Sequence, residues 1–137
     1  MKKTLFIFSC VFTILLTIIS GQSTARELPK PQTIALYFYA DWCPNCQNLT
    51  PKYEKIRTQA LLDRKSILFV KLDLTDKPRI HQSILLAQGL GLGAYIQQQG
   101  SATGYVAFLD ANTKEEKFRI TSADSIEIIQ NNLQNLP

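Results

Sequence analysis

From residue 33 onward the chain alternates short solid apolar runs with apolar stripes at helical spacing. Ile34 to Tyr39 is continuous apolar and aromatic sequence of strand length, which predicts a strand buried on both faces. Beyond Pro44, Leu49, Tyr53, Ile56 and Ala60 mark one face of a helix running to Leu61 or Leu62, with Pro51 expected to kink it. Ile67 to Leu72 reads as a second strand, and Pro78 opens a helix to about Gly89. Gly89, Gly91 and Gly93, with the polar stretch Gln97 to Ser101, read as a flexible connector. These glycines follow a helix and lack the spacing of a phosphate-binding loop. Tyr105 to Leu109 and Glu116 to Ile120 are expected to pair as antiparallel strands through the turn-rich link 110–113. Ser122 is expected to cap a last helix with the stripe Ile126, Ile129, Leu133 and Leu136. The order predicts an α/β domain over residues 33–137, a mixed central sheet flanked by helices. A right-handed crossover between the first two strands brings the strand-to-helix junction at Trp42 to Cys46 to the rim of the sheet.

Upstream the pattern changes character. Lys2 and Lys3 precede a nearly unbroken apolar run from Leu5 to Ile19, followed by small and polar residues ending at Ala25. This is the layout of a secretory signal, with cleavage expected after Ala25. The alternative is an uncleaved N-terminal membrane anchor, for which the run is short. Residues 26–32, with two prolines and no period, read as a linker. Cys10 lies within the apolar run rather than after it, which argues against a lipid-modified cysteine. The formal charge of +4 owes much to the leader, and without a basic cluster or interleaved aromatics it makes no case for nucleic acid. Three cysteines and a single histidine, His81, disfavour a structural zinc site.

Setting Cys10 aside, Cys43 and Cys46 remain, three residues apart in a chain expected to reach an oxidising compartment. Cys43 sits where a buried strand gives way to a helix, so its sulfur is expected to face unpaired backbone N–H groups and the positive end of the helix dipole. Both favour the thiolate, which is the species that attacks a disulfide. Cys46, one turn on, lies on the same face and can resolve a mixed disulfide on Cys43. Pro44 stiffens the first helical turn, where its missing N–H costs nothing, and Asn45 completes the dipeptide that tunes potential. A structural Cys-x-x-Cys disulfide and half of a metal site stand beside this reading, the first weakened by the short loop it closes.

The segment Ala35-Leu-Tyr-Phe-Tyr-Ala-Asp-Trp-Cys-Pro-Asn-Cys-Gln-Asn-Leu-Thr-Pro51 resembles the active-site segment of the thioredoxin family. Lys71 to Pro78 and Gly104 to Leu109 are similar to two later segments, so the resemblance covers roughly residues 33–136. It implies a thioredoxin fold in which Cys43 attacks, Cys46 resolves and Trp42 shields the site. Pro51 falls on the family's helix-kinking proline. Three positions depart from the pattern. Tyr37 stands where the family buries an aspartate beneath the resolving cysteine, leaving water or Lys71 to substitute. The dipeptide is Pro44-Asn45 rather than Gly-Pro. Thr103 stands where a cis-proline would present backbone to a substrate peptide. About a dozen extra residues between Pro78 and Thr103 point to a remodelled rim, for which Tyr95 and Gln97 to Gln99 are candidates.

The expected function is thiol–disulfide exchange in the bacterial periplasm, reducing disulfides of exported proteins through the Cys43/Cys46 dithiol. Neither cofactor nor metal is expected beyond that dithiol. Expected partners are exported protein thiols and disulfides and a membrane electron carrier, with no nucleic acid, and with membrane contact only through the N-terminal segment if it is uncleaved. The alternative is a non-catalytic binding module, or a metal or redox-switch protein using the same cysteines.

Overall fold

The structure is a computed structural model that describes residues 29–137. The leader and anchor readings of residues 1–25, and residues 26–28 of the linker, lie outside the described residues. Four strands, β1 (Thr33–Tyr39), β2 (Ile67–Asp73), β3 (Tyr105–Asp110) and β4 (Glu116–Thr121), form one sheet in the order β2-β1-β3-β4. β1 runs parallel to β2 and antiparallel to β3, and β3 runs antiparallel to β4. The helices are α1 (Pro44–Leu62), α2 (Lys77–Gly89), α3 (Gly93–Gln99) and α4 (Ile126–Gln134).

The solid apolar run of β1 reflects its place as an inner strand with helices on both sides. Ala35 and Tyr37 join the core beneath α1 and α4, with Leu49, Ile56, Phe108, Ile129 and Leu133. Ile34, Leu36 and Phe38 point the other way, into a core with Leu72, Ala87 and Leu92 under α2 and α3. The two-residue period of a strand divides one continuous run between two cores. Aromatic pairs tie neighbouring strands: Phe38 stacks on Tyr105 at 4.6 Å and Phe108 on Phe118 at 4.5 Å.

Two expectations change. The expected connector contains α3, whose Tyr95 and Ile96 pack against the second core. Its anchors are specific: Tyr95 Oη donates to Glu116 Oε2 at 2.5 Å, and Tyr105 Oη donates to Gln99 Oε1 at 3.2 Å. The cap of α4 is Ser125, whose Oγ accepts the Ile128 N–H at 3.4 Å. Ser122 instead donates to Asn45 Oδ1 at 3.3 Å, so it belongs to the surroundings of the cysteines. Pro51 lies within α1, which continues on both sides of it. Among the described residues no helix is long and apolar enough to cross a membrane.

Candidate active site

β1 ends at Tyr39, and the chain turns just after it, at buried Ala40, whose carbonyl accepts the Cys43 N–H at 3.2 Å. Cys43 keeps extended backbone angles (φ −90°, ψ 111°) and is the N-cap of α1, with Pro44 in the first helical position. Its carbonyl accepts the N–H groups of Cys46 and Gln47 at 3.0 and 3.2 Å. The Cys43 Sγ also accepts the Cys46 N–H, at 3.3 Å, the contact a capping hydroxyl makes at other helices. Burial pushes the Cys43 thiol up. Hydrogen bonds from the Cys46 thiol, the Thr103 hydroxyl and the backbone N–H groups of Cys46 and Asn45 outweigh it, and the net position is below the ordinary thiol value.

Cys46 has the opposite balance. It is fully buried and both cysteines are free thiols. Burial, and donation of its proton to Cys43, hold its thiol above the ordinary value, while the Ala40 backbone and Thr103 pull the other way. The pair is therefore one thiolate-favouring sulfur and one thiol-favouring sulfur, coupled by a hydrogen bond.

Beneath Cys46, Tyr37 does something a buried aspartate would not. Its phenol and the Thr50 hydroxyl both donate to the Cys46 carbonyl, at 2.9 and 2.8 Å, and lie 3.0 Å from each other. Burial holds the Tyr37 phenol well above the usual tyrosine range, so it stays protonated. It fixes the backbone of the resolving cysteine and is no base for its thiol. Lys71 does not fill the vacant role either, because its ammonium sits 3.7 Å over the ring of Tyr39.

The second wall comes from residues 100–104. Gly104 has φ +90°, and its N–H donates to the Phe38 carbonyl at 2.9 Å. The same carbonyl accepts the Cys46 thiol at 3.7 Å. A Cβ on Gly104 would lie 2.8 Å from the Asn45 Cβ and 3.4 Å from the Cys43 Sγ, so the backbone itself abuts the cysteine motif. No peptide bond among the described residues is cis. Thr103 immediately precedes Gly104 on this wall, and its side chain acts to lower both thiols.

Trp42, at 61% exposure, forms the outer edge, and its Nε1 donates to the Thr75 carbonyl at 3.1 Å. Asp41 accepts from Tyr39 Oη at 2.8 Å and from Arg79 at 3.1 Å, and its backbone N–H donates to the Thr75 hydroxyl at 3.0 Å. Cys43, Cys46, Tyr37, Pro44, Asn45, Trp42 and Thr103 therefore converge, while Lys71 points to Tyr39. The sequence reading passed over Thr50, Gly104, the Phe38 carbonyl and Ser122. A threonine four residues after the resolving cysteine was the one available signal; the other three act through backbone or through long-range contact. Among the described residues no three His, Cys, Asp or Glu gather where they could hold a metal ion.

Known proteins agree with this geometry. The chain is 37% identical over 60 residues to a protein disulfide-isomerase of Arthroderma benhamiae, covering 43% of this chain and 11% of that one. It is 31% identical over 65 residues to the protein disulfide isomerase-like 2-1 of Oryza sativa subsp. japonica, covering 47% and 16%. The chain thus spans less than a fifth of the length of these relatives. Among solved structures, StoA from Bacillus subtilis superposes with a TM-score of 0.50 at 16% identity, covering 75% of this chain and 83% of StoA. Thioredoxin O2 from Arabidopsis thaliana, in its oxidised state, does so with 0.50 at 17% identity, covering 77% and 76%. At such identities the likeness is one of fold, and the fold is the thioredoxin fold. A family model described as Thioredoxin matches residues 17–87, just over half of the sequence and inclusive of both cysteines. With a Cys-x-x-Cys pair capping the helix after the first strand of that fold, the chain belongs to the thioredoxin family.

Proposed function

We propose that the protein is a thiol–disulfide oxidoreductase that works in the reducing direction on exported proteins in the bacterial periplasm. The observation that carries the chemistry is the asymmetry of the pair: Cys43 caps a helix with its thiol held low, and Cys46 lies buried behind it with its thiol held high. The Cys43 thiolate attacks a substrate disulfide, forms a mixed disulfide and releases one substrate thiolate, which takes up a proton. Cys46 then loses its proton and attacks the Cys43 sulfur. The second substrate thiol leaves, and the Cys43–Cys46 disulfide remains. Two electrons pass to the substrate, and a dithiol electron carrier at the membrane must return them. The relatives named protein disulfide-isomerase support exchange chemistry. The apolar N-terminal run after Lys2 and Lys3 supports export.

Cys46→Ser in the full chain tests the mechanism. It should accumulate mixed disulfides through Cys43 that a reductant releases; retention of partners only by noncovalent contact would make the protein a binding module instead. Equilibration in defined thiol–disulfide buffers tests the direction. A potential near about −270 mV fits a reductase, and one near about −120 mV reverses the proposed flow of electrons.

A further inference from the structure

Gln99 is the last residue of α3 and Tyr105 the first of β3, so the 100–104 loop is all that lies between them. Gln97 and Gln98 are exposed, whereas Gln99 is half-buried. Its Oε1 accepts the Tyr105 hydroxyl at 3.2 Å and an Arg119 N–H at 3.3 Å. The first bond closes the loop into a ring, and the Gln99 main-chain carbonyl adds the Ala102 N–H at 3.4 Å. Both donors are themselves held. The Tyr105 ring stacks on Phe38 at 4.6 Å, and the Arg119 guanidinium lies 4.5 Å over it. Arg119 is fixed to Glu116 by bonds of 2.6 and 2.7 Å, and Glu116 also takes the Tyr95 hydroxyl of α3. The other end of the ring reaches the cysteines. Gly104 donates to the Phe38 carbonyl that takes the Cys46 thiol, and its backbone lies in contact range of the Cys43 sulfur.

We propose that Gln99 is a positioning residue for exchange with protein disulfides: its side-chain carbonyl clasps the base of the 100–104 loop and holds a preformed wall beside Cys43 for the substrate chain to lie against. The proposal rests on the exchange reading above. Cys43 is approached between two walls, exposed Trp42 on one side and the 100–104 backbone on the other. A loop with glycines at both ends, at φ +62° and +90°, has little stiffness of its own. Left open at its base, it would lose conformational freedom each time a polypeptide docked, and that cost would fall on binding. Closed by Gln99, it loses that freedom on folding instead. A small disulfide with no chain on either side does not need the wall, so the clasp separates protein substrates from small ones. Gln99 acts through Gly104 rather than on either sulfur.

Gln99→Met, which keeps the length of the side chain and removes the acceptor, is compared with Gln99→Glu, which keeps an oxygen for both donors. The full chain is used with its dithiol reduced, and rate constants of exchange are read with insulin and with hydroxyethyl disulfide. Loss of one bond from a neutral donor and one from a charged donor should lower the ratio of the insulin rate to the small-disulfide rate about tenfold in Gln99→Met, with Gln99→Glu near the wild-type ratio. Equal falls on both disulfides would make Gln99 a stabilising residue only and overturn the proposal, as would an unchanged ratio. A Gln99→Glu ratio as low as that of Gln99→Met overturns it too, because the acceptor oxygen would then not be what matters. If Gln99→Met does not fold, Tyr105→Phe keeps the ring on Phe38 and removes one donor to the clasp; its ratio should fall in the same direction, and a wild-type ratio overturns the proposal. A wild type inert to insulin sinks the reading of protein disulfides as substrates and the proposal with it, whereas a wild type that reacts with both keeps that reading whatever the variants show.

Discussion

Two loops meet at the sulfurs, and they are held by different means. The 40–46 loop is tied down mainly by side chains, Asp41 by Tyr39, Arg79 and the Thr75 hydroxyl and Trp42 by the Thr75 carbonyl, with one backbone bond from Cys43 to the Ala40 carbonyl. The 100–104 loop is held chiefly by backbone. Gly100 and Gly104 have φ +62° and +90°, and one N–H bond to Phe38 places its inner end. Gln99, just before it, is anchored by Tyr105 and Arg119. The first arrangement tolerates loss of single bonds because several share the load. The second depends on a fit with no spare space, since its last residue has neither side chain nor room for one.

Gly104→Ala strikes hardest at this difference. The new Cβ would need both a left-handed φ and displacement of Asn45, whose Cβ would be 2.8 Å away. Strain of this kind is expected to cost about 2–4 kcal/mol, read by denaturant unfolding of the reduced protein. Reactivity of Cys43 should fall as well, since the backbone that abuts its sulfur must shift. A loss below about 0.5 kcal/mol would show that the loop adapts and that its fit is not what holds it.

Next comes Tyr37→Phe. It removes one of two hydroxyls on the Cys46 carbonyl and keeps the ring, which packs 4.8 Å from Tyr53. Thr50 still donates, so the expected loss is about 1 kcal/mol. The thiol–disulfide potential should move little, because the phenol does not touch either sulfur. A large change in potential would mean that Tyr37 acts on the Cys46 thiol after all.

The contrast between the loops also explains what could be read from the sequence. The Cys43 to Cys46 junction was legible because everything it needs lies within a dozen residues: an apolar strand, Cys-Pro-Asn-Cys and a stripe of Leu49, Tyr53, Ile56 and Ala60. The mixed character of the sheet and most element bounds followed from the same periodicities, whereas the strand order β2-β1-β3-β4 came only with the fold. Gly104 was missed because its role is set by Asn45 and Cys43, about sixty residues earlier, and a glycine carries no pattern of its own. The helix α3 was missed because seven residues starting at a glycine and ending in three glutamines hold no full apolar stripe. Ser122 was taken as a cap because Ser125, three residues on, offers the same chemistry, and only the fold shows which of them faces the Ile128 N–H.

The sulfurs predict a pH dependence. Cys43, held below the ordinary thiol value, is ionised in the folded chain at pH values where the unfolded chain is still protonated. Its contribution to stability is therefore fully present above the ordinary thiol pKa and lost as pH falls through the lowered one. Cys46 has the reverse sign: its contribution is present below the ordinary value and lost as pH rises above it. The stability difference between reduced wild type and Cys43→Ser should accordingly grow from neutral pH toward the ordinary thiol range. Parallel denaturation curves across that range check it, and a flat difference would mean that burial of Cys43 cancels its hydrogen bonds.

The smallest effect belongs to the better-tied loop. Arg79 reaches Asp41 at 3.1 Å, Asp76 at 3.6 Å and Asp73 at 3.9 Å, with nearly half its side chain exposed. Exposed ion pairs contribute little, so Arg79→Ala should cost about 0.5 kcal/mol, less at high salt. Asp41 would keep its bonds to Tyr39 and Thr75, and Trp42 its bond to Thr75, so the thiolate titration of Cys43 should stay at its wild-type position. The side-chain-tied loop owes its tolerance to that redundancy. A shifted Cys43 titration in Arg79→Ala would show that the three carboxylates, once released from their common cation, send their charge into the site, and the loop would then be as finely balanced as the one that ends at Gly104.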